Sequence, residues 1–209
     1  MVKSTHTLLR ESEAGVTVEF VAVMTTFTLL TFFVMEVAIG IFWIGSAEKA
    51  AQLGARLAVV SNWAATPAPA NNALTSASYA YGQSCTSAGG PCVPFTTVTC
   101  TGSSTNCTCT GGNGTACSKS DFNYIAQRMS NMFGALSNHN EYVTITYAWA
   151  GLGFAGGPVI PRVTVKLSSV PYDSLLTTIF QKVSRSQVAT LPTISVTLTG
   201  EDLSTAGAS

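Results

Sequence analysis

The sequence predicts an α+β protein in which a long N-terminal transmembrane helix extends into a small antiparallel sheet domain with helices and a disulfide-rich loop region. Three observations predict this class. Residues 16–44 are predominantly apolar and carry only two charged side chains. All six cysteines lie between Cys85 and Cys117. Three segments of the C-terminal part alternate apolar and polar residues with the period of two that is typical of strands.

Size and charge limit the function classes. The 209 residues have room for one membrane segment and one modest domain. Charged residues make up only 10% of the chain, and ten basic side chains balance ten acidic ones without any block of like charge. We therefore expect no nucleic-acid partner, because binding to phosphates requires clustered lysine and arginine.

The apolar run is long enough to cross a bilayer, since about 20 such residues span one as a helix. A secretory signal needs an apolar core of only about 7 to 15 residues, although the small residues 45–47 offer a cleavage site and keep a secreted form as an alternative. Residues 1–15, with Lys3 and Arg10, are predicted to be a cytoplasmic leader. The cysteines require an oxidising compartment, so the domain at residues 63–209 is expected in the periplasm or outside the cell.

Two glutamates interrupt the run. A carboxylate at the centre of a bilayer costs on the order of 2.5 to 3.5 kcal/mol, so Glu36 is expected to have a partner or a function. The alternative is that the membrane segment is only residues 16–34 and that Glu36 is hydrated near the outer headgroups. Seventeen positions separate Glu19 from Glu36 (36 − 19), which is about 25 Å along a helix, so we expect different partners.

The helix is predicted to continue to residue 62, where the proline-containing segment 65–70 ends it. Glu48, Gln52 and Arg56 recur every four residues as one polar stripe. The other faces carry small residues that allow close helix approach, either to the protein's own domain or to neighbouring helices. These small residues are Ala47, Ala50, Ala51, Gly54, Ala55 and Ala58.

The cysteine-rich insert, residues 81–120, is predicted to be constrained by disulfides rather than by a core of its own. Its cysteine spacing lacks the closely paired cysteines of zinc ribbons, and it contains no histidine, so we predict no metal site. The spacing does not choose among the pairings. The disulfide candidates are Cys85, Cys92, Cys100, Cys107, Cys109 and Cys117.

The remainder of the domain is predicted to be a hairpin with a helix before it, and a further helix and strand after it. Met129 and Met132 of the first helix are predicted to fill the core. In order, the elements are helix 121–136, strand 142–149, strand 159–168, helix 175–183 and strand 193–199.

Catalytic residues are not apparent. The exported part has one histidine, His139, and its acids show no spacing typical of a paired-carboxylate or metal site. We therefore predict no enzymatic activity and no cofactor.

The N-terminal residues resemble a known class. A short basic leader, Gly15, Glu19-Phe20 and a long apolar helix resemble the class III leader of type IV pilin-like proteins. Glu36 and then the triplet at positions 54–56, Gly54-Ala55-Arg56, make the chain similar to TadE-like minor pilins or pseudopilins of the tight-adherence (Flp) pilus, with their TadF-type siblings as the alternative. The resemblance covers roughly residues 8–62 and 142–203, and departs from the family at Ile39, where a basic residue is common.

The resemblance implies a function. A prepilin peptidase would cut after Ala14 or Gly15, and Glu19 would then pair with the new N-terminal amine of a neighbouring subunit. The expected partners are other minor pilins, the major pilin and the inner-membrane assembly platform, with the protein priming or capping a bacterial pilus. The alternative is a membrane-anchored or secreted disulfide-rich adhesin or binding domain.

Overall fold

The computed structural model describes residues 5–69, 71–85, 90–103, 106–112, 115–172 and 190–200, with side chains from residue 15 onward. The first helix, α1 (Thr5–Val60), contains 56 residues without a break. It ends before the prolines, and the Thr66–Pro67 peptide bond that follows is cis. The chain divides into two units, and the division falls inside α1 between Trp43 and Ile44.

The second unit contains a five-stranded sheet. Its strands are β2 (Val98–Gly102), β3 (Cys107–Thr110), β5 (Val143–Leu152), β6 (Ile160–Leu167) and β7 (Ile194–Thr199), in the spatial order β3-β2-β5-β6-β7. All neighbouring strands are antiparallel. Two short strands, β1 (Ala65–Thr66) and β4 (Ala116–Cys117), pair separately. The α+β prediction, with its antiparallel sheet and disulfides, is thereby confirmed.

The sheet has one apolar and one hydroxyl-rich face, as the period of two in its strands requires. Val143, Ile145 and Tyr147 of β5 point into the core and are completely buried. The opposite face carries one threonine from every strand in a single row across the sheet, Thr110, Thr99, Thr146, Thr164 and Thr197. One-sided burial of this kind is typical of antiparallel sheets.

The second helix, α2 (Lys119–Met132), begins after Ser118, whose hydroxyl donates a hydrogen bond to the Asp121 carboxylate. Its core face is Phe122, Ile125, Ala126 and Met129. The predicted helix 121–136 is therefore shorter at its C-terminal end, and a turn of 3-10 helix (Gly134–Leu136) follows. The prediction that Met132 fills the core is wrong, because its side chain is 53% exposed.

The hairpin of β5 and β6 is confirmed, and its pairing is irregular between Trp149 and Leu152. Gly151 and Gly153 adopt positive φ values of 68° and 90° there, a conformation that other residues adopt only with strain. The predicted strand 193–199 corresponds to β7 (Ile194–Thr199). The predicted helix 175–183 lies outside the described residues.

The cysteine-rich insert differs from the prediction. Instead of loops alone, it supplies β2 and β3 to the main sheet, where β2 pairs directly with the central strand β5. The inward positions of β2 are Val98, Cys100 and Gly102, all buried. The insert therefore extends the core as well as being constrained by disulfides.

Candidate functional site

The candidate assembly segment, defined as residues 15–43 of α1, exposes most of its apolar side chains, whereas Glu36, Ile39, Gly40 and Trp43 are partly buried. From Gly15 onward, α1 is long and apolar enough to cross a membrane by length and composition, and none of its most apolar window is buried. A buried core helix of the domain is thereby ruled out for this segment. Burying one such side chain contributes about 1.5 to 3 kcal/mol, so this exposed apolar surface is compatible with a membrane span. Among the large apolar side chains of the segment that are exposed, the exposed fraction ranges from 46% at Val37 to 72% at Phe42.

Threonines within the segment are compatible with an apolar environment. The hydroxyls of Thr26 and Thr28 donate to the carbonyls of Ala22 and Met24 at 2.9 and 2.7 Å. Thr25 and Thr31 bond backward in the same way. Because each hydroxyl is satisfied within the helix, none of these four requires water or a partner.

The predicted processing and assembly residues all lie on α1. Ala14 and Gly15 are helical, and a side chain added at Gly15 would meet no described atom within 4 Å. Glu19 and Phe20 are exposed, whereas Glu36 is partly buried. Because no helix break lies between the two acids, their separation remains about 25 Å. The structure therefore does not bring Glu19 and Glu36 together.

The small residues of α1 beyond the division pack within the domain. Ala47, Ala50 and Ala55 are completely buried. A methyl group added at Gly54 would collide with the Met129 sulfur of α2 and lie 2.9 Å from its Cγ. Arg56, the third residue of the triplet, is exposed on the other side. Of the two partners that the sequence left open, the protein's own domain occupies this face.

The end of α1 is attached to the central strand through an aromatic cluster that the sequence did not reveal. The backbone N–H of Ala64 donates to the Tyr147 hydroxyl at 3.1 Å. The ring of Trp63 stacks on that of Tyr147, with 4.7 Å between centroids, and meets Phe95 edge-on. Burial raises the pKa of Tyr147 to about 12, since the phenolate would lose its hydration.

All six cysteines form disulfides, as predicted, and the structure supplies the pairing: Cys85–Cys92, Cys100–Cys109 and Cys107–Cys117. The second joins directly opposed residues of β2 and β3. The third connects β3 to β4, which pairs with β1 immediately after α1. The sulfurs of Cys100, Cys109 and Cys117 lie within 4.8 Å of one another. As disulfide sulfurs they are not the thiolates that bind metals.

A cavity of about 420 Å³ lies beside the tip of the β5–β6 hairpin. Tyr81 and Phe154, both exposed, line it together with Asn72. The Asn72 amide is buried and donates to the carbonyls of Phe154 and Pro158 at 3.3 and 3.0 Å, which holds the segment before Cys85 against the hairpin. Aromatic rings beside amide groups can contact a ligand that is partly apolar.

Among the described ionisable groups of the domain, His139, Glu141 and Asp121 each have a side-chain partner. His139 Nδ1 lies 2.8 Å from Glu141 Oε1, and the two side chains are 52% and 41% exposed. The hydrogen bond with His139 lowers the pKa of Glu141. The Asp121 carboxylate accepts a hydrogen bond from the Ser118 hydroxyl at the start of α2. The other acids of the C-terminal part, Asp173, Glu201 and Asp202, lie outside the described residues.

Compared with protein-family models, curated proteins and solved structures, the chain has no match.

Proposed function

We propose that this chain is a TadE-like minor pilin or pseudopilin that a prepilin peptidase processes and that primes or caps a Flp-type pilus. The observation that carries the proposal is the form of α1. It is one unbroken helix whose first part exposes most of its apolar side chains and whose last part is built into a small domain. A helix of this kind can anchor the domain in a membrane and later pack beside other helices, where its apolar surface is again covered.

Glu19 gives the segment a specific role in this proposal. It is an exposed acid near the start of the apolar surface, close to the bond after Ala14 or Gly15. Cleavage at either bond would place a new amine within about two helical turns of the acid. An amine of a neighbouring subunit would compensate the Glu19 charge and set the axial register between helices.

The test is a set of substitutions in the full-length protein, expressed in cells that assemble the pilus. For Glu19→Ala we expect normal membrane levels and loss of pili, while Glu19→Asp, which keeps the carboxylate, retains pili in reduced number. Thr26→Ala is the matched control, because that hydroxyl bonds only within its own helix among the described residues. Pili are counted by electron microscopy and membrane levels by immunoblot. Full piliation in Glu19→Ala would refute the register role.

Processing is tested separately by the intact mass of the protein from cells with and without the prepilin peptidase. Loss of 14 or 15 N-terminal residues, only when the peptidase is present, supports the proposal. Loss of 47 residues would instead indicate a secreted module, and an unprocessed chain would indicate a simple membrane anchor.

A second function, adhesion through the disulfide-bonded loops, is favoured by the cavity that Tyr81 and Phe154 line. The two functions are compatible, since a subunit at the tip of a pilus is placed to contact a surface. Tyr81→Ala with Phe154→Ala is expected to reduce surface attachment and leave the number of pili unchanged. Unchanged attachment would remove this second function.

A further inference from the structure

A second cavity, of about 370 Å³, lies between α2 and the loop that leads into β5. One face of α2 lines it with residues at the helical spacings of three and four. The loop borders it on the other side with further amides, and the cavity is open to solvent, since Gln127, Asn131 and Asn138 are exposed. The lining amides and hydroxyl used below are Asn123, Gln127, Ser130 and Asn131 from the helix and Asn138 and Asn140 from the loop.

The loop is fixed to the helix by one amide pair. Asn140 Nδ2 donates to Asn123 Oδ1 at 3.0 Å. In the loop between α2 and β5, Asn138 adopts a left-handed backbone conformation, with φ of 61°. Within the described part of the chain, the side chains of Gln127, Asn131 and Asn138 form no hydrogen bond to protein. Two amides therefore hold the cavity in shape and three present donors and acceptors to its contents.

Local structure explains only some of the polar residues on this face of α2. Asparagine and serine are poor helix formers because their side chains compete for backbone hydrogen bonds, and they are favoured at caps and turns instead. Asn123, Ser130 and Asn131 nevertheless lie within α2. Asn123 accepts the hydrogen bond from Asn140 and the Ser130 hydroxyl donates to the Gln127 carbonyl at 2.8 Å, so Asn131 is the one of the three that has no described side-chain hydrogen bond.

The lining selects a class of ligand by its chemistry. No lining residue is charged, so an ionic ligand would lose hydration without gaining a counter-charge. An apolar ligand would remove water from the amides without replacing its hydrogen bonds. A neutral ligand with many hydroxyls matches the paired donors and acceptors of the amides. The volume lies at the lower part of the range of about 300 to 1,000 Å³ typical of small-molecule sites.

We infer that this cavity binds a neutral carbohydrate of one or two sugar rings. The inference does not depend on the pilin proposal, because it concerns only the domain and its test needs no pilus. It would give the exported domain a means of recognising a glycan on a surface.

The test uses the purified full-length protein in a zwitterionic detergent, since detergents with sugar head groups would compete. Glucose, N-acetylglucosamine, maltose, cellobiose and, as the charged counterpart, glucuronate are titrated by saturation-transfer difference NMR. We expect saturable binding of at least one neutral sugar and weaker binding of glucuronate than of glucose. Saturable binding of none of the neutral sugars, or preference for glucuronate, would overturn the inference.

The site is located by the double variant Gln127→Leu with Asn131→Leu, which removes two exposed amides at nearly constant size. We expect the affinity for the neutral sugar to fall about tenfold or more, as the loss of one to two ligand hydrogen bonds implies. Gln83→Leu, an exposed amide outside the cavity, is the matched control and should leave the affinity unchanged. Unchanged affinity in the double variant would overturn the assignment of the site, and circular dichroism verifies that α2 remains folded.

Discussion

The contact between α1 and α2 can be measured with two glycines of the same helix. Replacing a helical glycine by alanine gains about 1 kcal/mol in intrinsic propensity. At Gly45 the added methyl group meets no described atom within 4 Å, so Gly45→Ala should stabilise the protein by about that amount. At Gly54 the same methyl group collides with Met129, which is completely buried, and overpacking costs about 1 to 3 kcal/mol. Gly54→Ala should therefore be less stable than Gly45→Ala by about 1 to 3 kcal/mol.

Comparing the two variants cancels the contribution of helix propensity, since both replace a glycine of α1 by alanine. The assay is urea unfolding of the full chain in detergent micelles, followed by the fluorescence of Trp63 and Trp149 in the domain. In a Met129→Ala background, itself about 2 to 5 kcal/mol less stable, the clash is absent and Gly54→Ala should now stabilise, as Gly45→Ala does. Equal stabilisation by the two alanines in the unaltered protein would refute the close packing of α1 on α2.

Two further predictions concern the same domain. Replacing Cys100 and Cys109 together by alanine opens a short cross-strand loop. The free energy of unfolding, measured with urea, should fall by about 3 kcal/mol. A change below about 1 kcal/mol would show that other contacts hold the hairpin. Tyr147→Phe leaves the buried Ala64 N–H without its acceptor and should cost about 1 to 3 kcal/mol at pH 7. Because the folded pKa of Tyr147 is raised to about 12 from 10, its contribution to stability is complete below pH 10 and is lost as the pH rises towards 12. The phenylalanine variant should lack that alkaline loss, and an identical pH profile would contradict the assignment.

Periodicity predicted the parts of the fold whose core positions are large and apolar. The strands β5, β6 and β7 and the core face of α2 follow from Val, Ile, Leu, Phe and Tyr at regular spacing. Strand β2 could not be predicted in this way, because two of its three inward positions are Cys100 and Gly102. A cysteine in the sequence indicates a buried disulfide at its position only when the cysteine that it pairs with is known, and the pairing came from the structure.

The candidate functional site could likewise be predicted only in part from the sequence. Exposure of the assembly segment follows from composition, since an apolar run without periodicity has no polar face to turn outward. The attachment of Ala64 to Tyr147 joins residues that are 83 positions apart, and no local pattern carries such a contact. The amide cavity is likewise formed by a helix face and a loop whose residues, taken singly, are ordinary surface residues.

In the proposed assembly, the burial pattern of α1 limits which of its surfaces a neighbouring subunit can contact. From residue 15 to residue 35 every side of the helix exposes apolar side chains, whereas Glu36, Ile39, Gly40 and Trp43 are partly buried. From residue 44 onward, the small residues that would allow the closest helix approach are already used by the protein's own α2 and its surroundings. The exposed side of this part carries Glu48, Lys49, Gln52 and Arg56. In the proposed assembly a neighbouring subunit would meet charges of both signs there, whose pairing depends on register and on salt. The exposed Glu19 in the apolar part and these side chains beyond it would then contribute to axial register, together with the interdigitation of apolar side chains.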